Sequence, residues 1–218
     1  QNKISKKTLF IIEASSYQID YSKIFKTNYA AILNISPDHL ERHKSIKNYI
    51  RTKAKIFYGQ KKTDYSYLNF NNKHTKSIEK LLKKNKIKSK LSLIDSSKYK
   101  PFLKRVNNKY FTSKGNFENL VFAYKIVKNL KIKDSTIFNA INRFKGLPHR
   151  QEIVFSNKRI LCINDSKATS FDACYQSLIN NNEIYWIVGG LPKYKDKFNF
   201  KGVKKKITKA YIIGKKTY

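Results

Sequence analysis

The sequence predicts an α/β fold: a mostly parallel sheet flanked by helices, followed by part of a second, smaller α/β unit. Three observations predict it. Short apolar runs of strand length alternate with stretches whose apolar residues recur at helical spacing. Alternation of that kind builds parallel sheets, because each strand must reach the next through a crossover, usually a helix. The alternation breaks at Gly146-Leu147-Pro148 and then starts again.

Residues 8–12 (TLFII) are an apolar run that reads as a buried strand ending at Glu13. Residues 29–35 (YAAILNI) read as a second strand, leading into the turn Ser36-Pro37-Asp38-His39. Ile46, Tyr49, Ile50, Ala54 and Phe57 recur at helical spacing and predict a helix over 45–57, with Ser45 as its cap. Strands at 66–70 and 91–94 flank a Lys-rich amphipathic helix at 75–84, and helices follow at 116–129 and 134–144. Beyond the Gly-Pro break, 151–155 and 159–163 read as a strand pair around a turn at Ser156-Asn157. Residues 171–179 read as a helix, 183–188 as a buried strand running into Gly189-Gly190, and 210–213 as a last strand. The break sets an expected domain boundary that divides the chain into 1–145 and 146–218.

The formal charge of +33 would suit a partner rich in phosphate, and a basic nucleic-acid-binding module is one alternative reading. Against it, the lysines run from Lys3 to Lys216 without gathering in one block, and Asn, Ile, Tyr and Phe are abundant as well. That pattern is a compositional habit of the whole chain, and no nucleic-acid partner is expected. Cys162 and Cys174 lack metal-type spacing, so a reducing compartment fits better than a disulfide framework. No run reaches the length of a membrane span, and no signal peptide is visible at the start. The chain has no Met and begins at Gln1, so a piece of a longer protein is expected.

Polar clusters fall at the carboxyl ends of the expected strands, the rim where open α/β sheets bind ligands. Glu13 follows one strand, His39 another, Asp165 a third and Gly189-Gly190 a fourth. Each has a plainer reading. Glu13 either holds Mg²⁺, which favours one or two carboxylates plus phosphate oxygens, or caps a turn. His39 and His43 are four apart, but no third residue has the spacing of a zinc ligand. Lys53 lies on a helix that should pack on the sheet, where most lysines reach for water. Residues 164–169 (NDSKAT) precede a helix and form either an anion site or an ordinary cap. Arg150 either clamps a phosphate or makes an interdomain ion pair. Neither a G-x-x-x-x-G-K-[ST] loop nor a G-x-G-x-x-G turn occurs anywhere in the chain.

Taken together, EASSYQ at 13–18, NISPDHLERH at 34–43 and YIRTKAKIF at 49–57 resemble the central domain of the Mur ligases. GLPHR at 146–150 and NDSKAT at 164–169 resemble the branch of that family that adds D-glutamate to UDP-N-acetylmuramoyl-L-alanine, and Gly189-Gly190 with Lys193 and Asp196 fits its next motif. The resemblance spans nearly the whole chain. It implies the latter part of a P-loop-type central domain (1–145) and the first part of a Rossmann-like C-terminal domain (146–218). The phosphate loop, the uridine-nucleotide domain and the C-terminal end would lie outside this chain, which alone would be inactive. It further implies a monomeric bacterial cytoplasmic enzyme of cell-wall precursor synthesis, with ATP and two Mg²⁺ sites, forming an amide through an acyl phosphate. A sister ligase adding another amino acid is the near alternative.

Residue by residue, Glu13 and His39 match metal ligands and Lys53 matches a lysine that is carbamylated in the family. Asn119, Arg150 and Asp165 match nucleotide contacts. Ser15, Lys167, Thr169 and Lys193 match residues near the muramoyl substrate or the incoming glutamate. The sequence departs from the pattern at Gly115, where His is usual, at Ser170, where Asn is commoner, and at Leu191-Pro192.

Overall fold

A computed structural model describes residues 5, 8–23, 26–191, 198 and 201–214. The chain divides into two compact units, residues 1–94 and 95–218. The expected break at 145/146 falls inside the second of them, where Leu147 and Arg150 form an isolated bridge.

The first unit is built on three parallel strands, β1 (Tyr29–Ile32), β2 (Tyr65–Asn69) and β3 (Lys90–Ile94), in the order β1-β2-β3. β2 is central, and its residues 66–69 are all buried, as a strand covered on both faces must be. β3 lies at the edge, and only Ile94 of its five residues is buried. The crossover from β1 to β2 carries α2 (Leu40–His43) and α3 (Ile46–Ala54), which runs on into a 3-10 turn at Lys55–Phe57. The crossover from β2 to β3 carries α4 (Thr75–Lys84).

The side chains spaced along α3 and its turn, Tyr49, Ile50, Ala54 and Phe57, close one core with Ala30 and Ile32 of β1, Ile35 just beyond it, Leu68 of β2, and Ile78 and Leu82 of α4. Burying such side chains supplies most of the drive for the fold. Ser45 starts α3 as expected, its Oγ accepting the Asn48 amide at 3.2 Å.

Two features differ from the sequence reading. Residues 8–12 are not a strand: no strand among the described residues pairs with them, and Leu9, Phe10, Ile11 and Ile12 are 57–91% exposed. An apolar run signals burial, but a strand also needs a neighbour to satisfy its amides, and among the described residues β1 pairs only with β2. A short helix, α1 (Ser16–Tyr21), follows instead. Ser15 caps it in a reciprocal box: its Oγ accepts the Gln18 amide at 3.2 Å, and the Ser15 amide donates to Gln18 Oε1 at 2.8 Å.

In the second unit α5 (Lys100–Leu103), α6 (Lys114–Asn129) and α7 (Asp134–Arg143) pack through aromatic rings. Phe102 meets Tyr124 at 4.6 Å and Phe138 at 4.9 Å between centroids. Asn108 Nδ2 donates to the carbonyls of Ile141 and Phe144, satisfying the end of α7.

β4 (Glu152–Ser156) and β5 (Leu161–Asn164) form an antiparallel pair. Its turn is organised by Asn157, whose Oδ1 accepts the amides of Arg159 and Ile160. α8 (Phe171–Ile179) precedes the parallel pair β6 (Ile184–Gly189) and β7 (Ile207–Ile213). Gly189 is required by that pairing, since a Cβ there would lie 2.0 Å from the Ile213 carbonyl oxygen. No helix of the described residues is long and apolar enough to cross a membrane.

Candidate functional site

The first unit gathers three polar segments beyond the carboxyl end of β1. The chain leaves β1 through residues 33–38 and reaches His39, whose φ of 53° is left-handed and opens α2. Asp38 Oδ1 accepts the His39 amide at 3.0 Å. The His39 ring lies between Asp38 Oδ2, 3.4 Å from Nε2, and Glu41 Oε1, 3.6 Å from Nδ1. Tyr17 of α1 stands edge-on to that imidazole, with centroids 5.1 Å apart and its hydroxyl 3.5 Å from Nδ1.

Glu13 lies in the exposed stretch just before the Ser15 cap. Lys53, on the last turn of α3, is half-buried, with its Nζ 5.8 Å from the Tyr49 ring centroid. Burial pushes its ammonium below the ordinary lysine range, while the carboxylates of Asp38 and Glu13 pull it back up. Both carboxylates therefore act on the same amine. Lys53 thus shares a neighbour with each of the other two expected metal-site residues: the Glu13 carboxylate acts on its amine directly, and Asp38, which also acts on it, flanks the His39 ring.

Among the described residues no three His, Cys, Asp or Glu side chains form a ready metal cage. Mg²⁺ needs no such cage, since it takes one or two protein ligands and completes its shell from phosphate oxygens and water. Asp38 and Tyr17 were not singled out from the sequence. Their signal was position: each sits inside a motif already marked, Asp38 directly before His39 and Tyr17 two residues after Ser15.

The second unit interlocks the other two motifs. Asp165 Oδ1 accepts the Gln151 amide at 3.1 Å, and Asp165 Oδ2 accepts the Ser177 hydroxyl of α8. The Lys167 amide donates to the His149 carbonyl at 3.0 Å, and Asn164 Nδ2 lies 2.9 Å from His149 Nδ1. Arg150 is exposed between two left-handed residues, His149 (φ 62°) and Gln151 (φ 49°). Such backbone costs about 1–3 kcal/mol per residue and persists only where its surroundings enforce it. The bonds to His149 and Gln151 do so.

Tyr110 feels both Arg150 and Asp165; burial raises its phenol, Arg150 lowers it and Asp165 raises it. The Tyr110 ring also lies against Gly146, where a Cβ would stand 3.0 Å from it and where φ is +86°. Arg150 and Asp165 thus share one neighbourhood. Lys167 and Thr169 are exposed on the loop before α8, and Asn119 is exposed on α6. Lys193 lies outside the described residues. Ser177, Gln151 and Tyr110 were not predicted; Ser177 reads in the sequence as an ordinary helical serine.

Comparison with known proteins supplies the remaining evidence. Residues 2–145 match the Mur ligase middle domain. The UDP-N-acetylmuramoylalanine–D-glutamate ligase of Rickettsia prowazekii is 33% identical over 94% of this chain, and that of Caldicellulosiruptor saccharolyticus is 34% identical over 95%. The chain spans about half the length of these curated relatives, 49% in each case. Among solved structures, MurF from Acinetobacter baumannii superposes with a TM-score of 0.60 at 16% identity, covering 81% of this chain and 42% of that one. MurF from Thermotoga maritima, in complex with ADP, gives 0.57 at 13% identity, covering 89% and 55%. The middle-domain match over most of the chain and the shared α/β architecture lead to one conclusion: the chain belongs to the Mur ligase family.

Proposed function

We propose that the protein carrying this chain is the ATP-dependent ligase that joins UDP-N-acetylmuramoyl-L-alanine to D-glutamate in peptidoglycan precursor synthesis. Residues 1–145 are the latter part of its central domain and 146–218 the first part of its C-terminal domain. It acts in the bacterial cytoplasm as a monomer. The observation that carries the reading is the convergence of Glu13 and Asp38 on the half-buried Lys53, with His39 held beside Asp38. The names of the relatives, and the GLPHR and NDSKAT loops that the second unit locks together, support the choice of substrates.

In this reaction a carboxylate oxygen of the muramoyl-alanine attacks the γ-phosphorus of ATP, the bond to ADP breaks, and an acyl phosphate forms. The D-glutamate amine then attacks the acyl carbon, the bond to the phosphate oxygen breaks, phosphate leaves and the nitrogen loses a proton. Mg²⁺, when bound, would neutralise the crowded oxygens and polarise the transferred phosphoryl group. Glu13 and His39 are the groups of this chain that would hold it. The lowered pKa of Lys53 keeps more of its amine uncharged, the form that adds carbon dioxide and gives up a proton to become a carbamate. That exchange turns a cation into a further anionic metal ligand. Arg150, Asp165 and Asn119 bind the nucleotide. Ser15, Lys167, Thr169 and Lys193 bind the muramoyl or glutamate substrates.

The test is D-glutamate-dependent phosphate release by the longer protein that carries this chain, assayed with each substrate omitted in turn and with a panel of amino acids. Release that requires ATP, UDP-N-acetylmuramoyl-L-alanine and D-glutamate together is expected. Lys53→Ala should lower it by at least about a hundredfold, the scale of losing a charge stabiliser in a preorganised site. Release driven equally well by another amino acid would overturn the substrate assignment.

A further inference from the structure

α2 is a four-residue turn bracketed by two strained residues, His39 (φ 53°) and Lys44 (φ 63°). A turn that short has little stability of its own. His43 is its one buried residue, 6% exposed. The His43 Nε2 lies 3.0 Å from the Oγ of Ser16, itself 2% exposed, across 27 residues of chain. The ring also meets Tyr49 of α3 at 5.2 Å and Tyr17 of α1 at 6.0 Å between centroids.

His43 therefore touches each of the three segments that bear the candidate site: the α1 segment with Glu13 and Ser15, its own turn with His39, and α3 with Lys53. An apolar pair of the same shape could fill this space with little loss of stability. What it could not do is fix a distance and an angle between α1 and α2. The groups around the ring are Ser16, Tyr17 and Tyr49, with the charges of Asp20, His39, Arg42 and Glu41 acting on it from α1 and α2.

We propose that His43 is a positioning residue for the ligase site, its bond to Ser16 holding His39 in its left-handed conformation in register with the Glu13 segment and Lys53. The Tyr17 ring transmits that register, since it lies against both His43 and His39. The role in catalysis rests on the ligase reading; the mechanical coupling of His43 to His39 does not.

Two arms separate them. In the metal-free 218-residue chain, the imidazole ¹H and ¹⁵N resonances of His39 are compared among wild type, His43→Phe, Ser16→Ala, the double variant and His43→Gln. Both single changes should shift His39 in the same direction, the double variant should add nothing further, and Gln, whose amide can reach Ser16, should return the signal toward wild type. Ser16→Ala removes one oxygen only and carries the test if His43→Phe does not fold. In the longer protein, the Mg²⁺ concentration for half-maximal phosphate release should rise about tenfold in either single variant and recover in His43→Gln, the scale of one buried hydrogen bond. A His39 signal unmoved in folded variants that merely melt earlier, or shifts that add in the double variant, would overturn the proposal. A wild-type protein that releases no phosphate would sink the ligase reading and leave the resonance arm to decide the coupling.

Discussion

Removing the Ser177 hydroxyl should loosen the joint between the two polar loops of the second unit. That hydroxyl donates to Asp165 Oδ2, while Asp165 Oδ1 holds the Gln151 amide in its left-handed turn. A hydrogen bond to a charged group contributes about 1.5–3 kcal/mol when buried; Asp165 is half-buried, so water replaces part of the loss, and Ser177→Ala should cost about 1–2 kcal/mol. With a urea dependence of about 2 kcal/mol per molar, mid-range for a small domain, the unfolding midpoint should fall by roughly 0.5–1 M.

Trp186, the single tryptophan of the chain, sits in β6 of the same unit, so its fluorescence follows this transition directly. Ser156→Ala, which removes an exposed hydroxyl on β4, serves as the control and should change stability by less than about 0.5 kcal/mol. The Gln151 amide should also exchange faster in the Ser177 variant alone. A midpoint for Ser177→Ala that matches the control would refute the claim that α8 holds Asp165 in place.

Phe57, fully buried where α3 ends on the sheet, should cost about 3–5 kcal/mol when changed to Ala, read by far-ultraviolet circular dichroism in urea; a loss under about 1 kcal/mol would mean the Lys53 helix is not anchored there. His43 and His74 are both held below the ordinary histidine value of 6.5, chiefly by burial. The unfolded chain therefore takes up protons first, and the free energy of unfolding should fall as pH drops from about 7 through 6.5 toward the lower folded values. Denaturation curves across pH 5–8 check this; a flat profile would contradict it.

The parts of the fold legible in the sequence were those where local pattern and tertiary burial agree. The run 29–35 becomes β1 and its loop, and the 46-49-50-54-57 spacing becomes α3 and the turn that closes the core. The 151–163 hairpin, α8 and β6 were legible from local pattern alone: β4 and β5 bury no residue, α8 buries only Leu178, and β6, expected as a buried strand, leaves Tyr185 and Ile187 65% and 70% exposed. Residues 8–12 failed because composition reports a wish for burial and not the presence of a partner. α1 was legible through Ser15 and Gln18, a capping box overlooked because the helix is only six residues long and lacks a full apolar stripe. For the site, Glu13, His39 and Lys53 were singled out by the motifs at 13–18, 34–43 and 49–57 taken together, since each residue alone has a plainer reading. Ser177, Tyr110 and His43 were not, because serine, tyrosine and histidine gain meaning only from what lies opposite them, 12, 36 or 27 residues away or more.

The uncovered stretch Leu9–Ile12 puts apolar side chains at the surface of a chain whose formal charge is +33. Like-charged copies repel one another, and that repulsion fades once the Debye length shrinks to about 3 Å near 1 M salt. Counter-ions therefore should govern how readily such apolar surfaces meet: dilute buffer should favour dispersed molecules and concentrated electrolyte their association.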